Sequence, residues 1–135
     1  MVPITRFLIL LFFFLSLSST YVAATNHVVG QVSGWDLDSD VAEWAASTTF
    51  RVGDTLVFKY SSEYDVQEVG QLAFTTCDTT KPIKEYNDGF TTIMLTEPGT
   101  RYFICGQLGH CDSGMKMEVD VISLPPQANR YKNNP

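Results

Sequence analysis

Positive charge is scarce in this chain. Nine Lys and Arg stand against fifteen Asp and Glu, for a net charge of -6 over 135 residues, and no basic run occurs. A nucleic-acid-binding role is therefore not expected, because binding of that kind begins with clustered cations. Charged residues make up only 18% and hydrophobic ones 44%, which excludes a coiled coil and a disordered acidic chain. No apolar run reaches the ~20 residues that a membrane-spanning helix needs. There is no internal repeat and no Asn-x-Ser/Thr acceptor. Histidine occurs twice, at His27 and His110, and cysteine three times, at Cys77, Cys105 and Cys111. One domain is the default at this length.

Aromatic residues are plentiful by contrast. Nine Phe, six Tyr and two Trp favour a β-rich core. Arg6 is the only charged side chain before Asp36, and it precedes the apolar run Phe7 to Leu17. Small and polar residues follow, ending in Val22-Ala23-Ala24. A basic start, a short apolar centre and a small-residue exit predict a secretory signal peptide over residues 1–24. Secretion changes how the cysteines read: in an oxidising compartment two of the three should pair, and spacing does not say which.

Beyond residue 24 the chain carries short strand signals separated by turns. His27 to Val32, Thr48 to Val52, Thr55 to Tyr60, Tyr64 to Val69, Phe90 to Leu95, Arg101 to Cys105 and Met115 to Ile122 all read as strands. In Tyr64 to Val69 the period alone does not tell which side is buried. Asp40 to Ala46 predicts a brief helix, with Asp40 as N-cap and Glu43 three residues on. Asn87-Asp88-Gly89 and Pro98-Gly99 predict turns. The pattern is that of an antiparallel sandwich or barrel over residues 25–123. Residues 124–135 (LPPQANRYKNNP) are polar and rich in Pro and Asn, and are expected to form a disordered tail. They lack the hydrophobic end of a glycolipid-anchor signal.

The chemistry concentrates between Tyr102 and Met115 (YFICGQLGHCDSGM). A strand ends at Cys105, and a loop with three glycines presents His110 and Met115. Thiol, imidazole and thioether within eleven residues form a soft donor set, suited to copper first and zinc second. A blue-copper electron-transfer site has two His and one Cys in a plane and a weak axial Met. Three of those four donors stand here in order.

These residues resemble a known family, the phytocyanins, plant cupredoxins that include plantacyanins, uclacyanins and stellacyanins. The resemblance runs through VVGQVSGW, FRVGDTLVFKY, the segment around Cys77 and YFICGQLGHCDSGMKMEV. It implies an all-β, cupredoxin-type Greek-key sandwich of about seven to eight strands, with one or two short helices and one disulfide. By the same match Cys105, His110 and Met115 are copper-ligand positions for one type 1-like ion, and Cys77 pairs with Cys111. Met115 resembles the plantacyanin and uclacyanin type, since stellacyanins have Gln there. One position departs. The family's first His ligand opens an HNVVEV-like segment, and this chain has Tyr64-Asp65-Val66-Gln67-Glu68-Val69, with Tyr64 where that His should be. Tyr64 could supply a phenolate only if its pKa fell far below ~10. His27 lies in the first strand, where the family has no ligand, and reads as an ordinary surface or edge residue.

Three functional readings follow. The first is a secreted copper protein that moves one electron through Cys105, His110 and Met115 at an incomplete site. The second is a copper-free extracellular interaction domain of early nodulin-like type, in which Cys105 and Met115 serve as core residues and His110 faces water. A thiol enzyme built on Cys105 and His110 is the third, and it lacks an oxyanion or third-residue signature. No enzymatic activity is expected. The expected partner is a redox protein or an extracellular, cell-wall component, met by a monomer with an acidic surface.

Overall fold

The computed structural model describes residues 23–123, together with residues 3–6 and 8–9. Most of the expected signal peptide and all of the expected tail lie outside the described residues. Eight strands form two sheets. The smaller has the order β1 (Asn26–Val28), β3 (Thr55–Lys59), β6 (Phe90–Met94). The larger has the order β2 (Phe50–Arg51), β8 (Lys116–Ile122), β7 (Gly99–Ile104), β4 (Val66–Val69), β5 (Lys84–Tyr86). Two short α-helices, α1 (Val41–Ala46) and α2 (Gln71–Thr76), and a 3-10 turn at Gln31–Ser33 complete the described part of the domain. The expected antiparallel pairing holds for β3–β6, β4–β5, β4–β7 and β7–β8, but β1–β3 and β2–β8 run parallel. Both exceptions place a two- or three-residue strand beside a longer one.

Alternation explains the core. In β6 Thr91 and Ile93 are buried while their neighbours are exposed, and in β8 Met117, Val119 and Val121 point inward. Trp35, Phe58 and Phe103 fill the space between the sheets, with Phe58 ring centroids 5.4 Å from Trp35 and 5.5 Å from Phe103. Helix α1 starts as its sequence directs: the Asp40 carboxylate accepts from Glu43 N at 3.0 Å.

Strand β4 has no exposed face. Val66 belongs to the inter-sheet core, while Val69 belongs to a second cluster with Ile104, Cys111, Phe74 and Tyr102. Helix α2 lies over that outer side of the large sheet, which resolves the ambiguity of the Tyr64 to Val69 alternation. His27 stands on an edge strand, as expected, but it is not a surface residue. Its side chain is 13% exposed, stacks edge-on against Phe50 and pairs with Asp54 at 2.8 Å.

Candidate metal centre

Cys105 closes β7, Met115 opens onto β8, and the residues between them form the loop that joins these two antiparallel strands. The ladder brings the loop ends together, so Cys105 N donates to Met115 O at 3.0 Å. The loop winds tightly on itself. Met115 N reaches His110 O at 3.0 Å, and Ser113 N reaches both Gly109 O and His110 O at 3.1 Å. Gly109 at φ 79 and Gly114 at φ 102 make this path possible at low cost. As a result Cys105 Sγ lies 3.5 Å from His110 Nδ1. Cys105 and Met115 are buried in the same core cluster, and His110 is partly exposed at the rim.

A disulfide joins Cys77 to Cys111, with 5.7 Å between their Cα atoms, and leaves Cys105 as the free cysteine. The bridge ties the residue after His110 to the C-terminal end of α2. It forms part of the cluster on the outer face of the large sheet, with Val69 and Ile104.

Tyr64 belongs to the same core cluster as Cys105. It is 8% exposed, and its ring stands edge-on to His110 with centroids 5.0 Å apart. Burial holds its phenol above the usual tyrosine range; the Leu37 amide pulls it down, and the carboxylates of Asp36, Glu63 and Asp38 push it further up. The phenolate contemplated from sequence is thus disfavoured: the shift runs opposite to the one it needs. Burial likewise raises the Cys105 thiol, against backbone hydrogen bonds from Asp65 and Gln107 that lower it, and the Asp65 carboxylate adds to the rise. An apo thiol of this kind is a poor nucleophile, which argues against thiol-enzyme chemistry.

Two residues of the site carry no sequence signal of their own. Asp65 is 2% exposed, and its carboxylate accepts the Gly106 N–H, pinning the start of the ligand loop to the segment that holds Tyr64. Its backbone carbonyl accepts from Trp35 Nε1 at 2.8 Å. Gln67 is buried, reaches Thr79 O only at 3.5 Å, and leaves its Oε1 without a partner. Both replace residues of the HNVVEV-like segment, so the departure from that pattern spans three positions. A mismatch at Asp65 and Gln67 was the only available clue to their role.

Among the described residues no trio of His, Cys, Asp and Glu gathers at metal-binding distance, so a site here must also draw on the Met115 thioether. Cys105, His110 and Met115 fit a soft cation in low coordination, because one thiolate, one imidazole and one thioether are the donors that Cu(I) accepts. The Tyr64 ring packs beside His110 at the same rim.

A family model described as a plastocyanin-like domain matches residues 35–115. Uclacyanin-3 of Arabidopsis thaliana is 40% identical over 105 residues, 78% of this chain and 47% of that protein. Early nodulin-like protein 14 of Arabidopsis thaliana is 43% identical over 109 residues, 76% of this chain and 60% of that protein. This chain therefore spans about half of the uclacyanin's length. Among solved structures, cucumber basic protein, a blue copper protein, superposes with a TM-score of 0.65 at 39% identity, covering 72% of this chain and 99% of that one.

Proposed function

This chain belongs to the phytocyanins, plant members of the plastocyanin-like family, and on that premise we propose that it is a secreted copper-binding protein that carries one electron at a time. The carrying observation is the 3.5 Å approach of a free, buried Cys105 Sγ to His110 Nδ1. When bound, a single copper ion supplies a one-electron couple. Cys105, as thiolate, would be the strongest donor, and its burial keeps water from the sulfur. His110 Nδ1 would be the second strong donor, and Met115 the weak one. The imidazole is partly exposed beside a fully exposed Leu108, which puts it at the surface where an electron can pass to a partner. No substrate is transformed, so the role is that of a carrier and not an enzyme.

Tyr64 shapes which oxidation state is favoured. Its neutral phenol offers no anionic oxygen, so the set stays at two strong donors and one weak one. Such a set suits Cu(I) better than Cu(II), which asks for more strong ligands. Secretion is read from the sequence pattern of residues 1–24; among the described residues no helix is long and apolar enough to cross a membrane.

A second reading has its own observation. The Tyr64 ring packs against His110 at 5.0 Å and could close the site, as in a copper-free interaction domain of the early nodulin-like kind. Metal analysis after loading with Cu(I) and separately with Cu(II), paired with visible absorption and EPR, decides between them. We expect one copper per chain from Cu(I), a weaker thiolate-to-copper band from Cu(II), and loss of both in Cys105→Ser. Protein that takes up no copper in either state would establish the second reading.

A further inference from the structure

The Asp54 carboxylate is buried, with its side chain 5% exposed, and it lies at the turn between β2 and β3. Three donors converge on it. Thr25 N reaches Oδ1 at 2.9 Å, His27 Nε2 reaches Oδ2 at 2.8 Å, and Arg51 N reaches Oδ2 at 3.0 Å. Two of the three are backbone amides without charge, and the third is the His27 imidazole. A buried carboxylate is stabilised by such bonds, and most strongly by a donor that carries a full charge. Thr25 itself is fixed from its other side, since Thr55 N donates to Thr25 O at 2.9 Å.

The residue that meets this carboxylate immediately follows Val22-Ala23-Ala24, the small-residue exit of the apolar leader. We propose that Ala24–Thr25 is the processing bond and that Asp54 is the built receptor for the α-ammonium that cleavage creates on Thr25. A signal peptidase adds water across that amide, leaving a carboxylate on Ala24 and an ammonium on Thr25. The nitrogen in contact with Asp54 Oδ1 then carries a full positive charge of its own. Removal of the leader thereby tightens the hold on β1, the edge strand of the small sheet, and stabilises the domain at the moment it is released. This inference rests on the secretory reading above, with its leader over residues 1–24, and what it adds is the role of the new amino terminus.

The test uses the full chain expressed in a plant secretory host. Intact mass of the secreted protein should give Thr25 as the first residue. A Gly-Ser insertion after Ala24 then yields a processed chain with an ordinary amide at Thr25. Charge-assisted hydrogen bonds are about twice as strong as neutral ones, so the extension should raise the unfolding equilibrium constant about tenfold. Asp54→Asn loses the His27 and Arg51 bonds in both forms, and should cost about tenfold more in the native form than in the extended one. By NMR, the Thr25 amino group should titrate above an unpaired amino terminus, and Asp54→Asn should bring it back. A chain retained with its leader intact overturns the secretory reading and the proposal with it. Secretion with a first residue other than Thr25 overturns the processing site. A Thr25 start with equal Asp54→Asn effects in both forms overturns the clamp alone.

Discussion

Replacing Tyr64 by His tests the donor count of the proposed site directly. Two opposing effects can be sized. Without metal, the variant loses an edge-on ring contact with His110, worth about 0.5–1.5 kcal/mol, and some core volume, since Tyr64 is only 8% exposed. The apo domain should therefore be about 1–2 kcal/mol less stable. For a domain of this size each kcal/mol moves Tm by about 4–8 °C, so calorimetry should show apo Tm lowered by roughly 5–10 °C. With Cu(II), a second imidazole completes two nitrogens and one thiolate around the ion. Partners that merely orient a ligand change metal affinity about 10–100-fold, so a whole ligand should tighten binding at least about 100-fold. At saturating metal that adds about 2.7 kcal/mol to the loaded form. The variant should thus be less stable than the parent without copper and more stable with it, with an intense blue band and narrow copper hyperfine splitting in EPR. A folded Tyr64→His protein whose Cu(II) affinity equals the parent's would refute the reasoning, because Tyr64 would then not occupy a donor position.

Three further outcomes are expected. Replacing both Cys77 and Cys111 by Ser opens a link between residues 34 apart, which costs about 4 kcal/mol in the chain-entropy account, and urea denaturation should show it. Acid unfolding should carry an Asp54 component. Burial pushes that carboxyl up, but the bonds from His27, Thr25 and Arg51 outweigh it, so the folded group titrates below its usual value. Its stabilisation is then complete above the unfolded pKa of about 4 and disappears as pH falls through the folded value, and Asp54→Asn should flatten stability in that window. Gly30→Ala should cost about 2–4 kcal/mol by the same denaturation assay. Gly30 holds φ 67, and a Cβ there would stand 2.1 Å from Gly34 O.

Much of the fold was written locally. Asp40 and Glu43 announced α1 because an N-cap acts within one turn, and the strand at Thr55–Lys59 announced itself by aromatic and β-branched residues. Helix α2 went unread: its N-cap is Gly70 with no side-chain bond, and Leu72 is 77% exposed, so there is neither a start signal nor an apolar stripe. Strand β5 is three residues of Lys-Glu-Tyr at a sheet edge, with no buried face to impose a period. The approach of Cys105 to His110 was legible because the two sit in one short loop between paired strands. Asp65 was not, because its partner Gly106 is 41 residues away. His27 misled for the same reason: what draws it inward is Asp54, which lies 27 residues further on.

Trp35 gives the centre an optical reporter. Its indole is fully buried, and its N–H is bonded to the carbonyl of the residue next to Tyr64, whereas Trp44 on α1 stacks against Phe50. Anything that displaces the Tyr64–Asp65 segment therefore acts directly on the hydrogen bond of one fluorophore and only through packing on the other. The emission of a single native tryptophan can follow the rim of the sandwich in real time, with no label added.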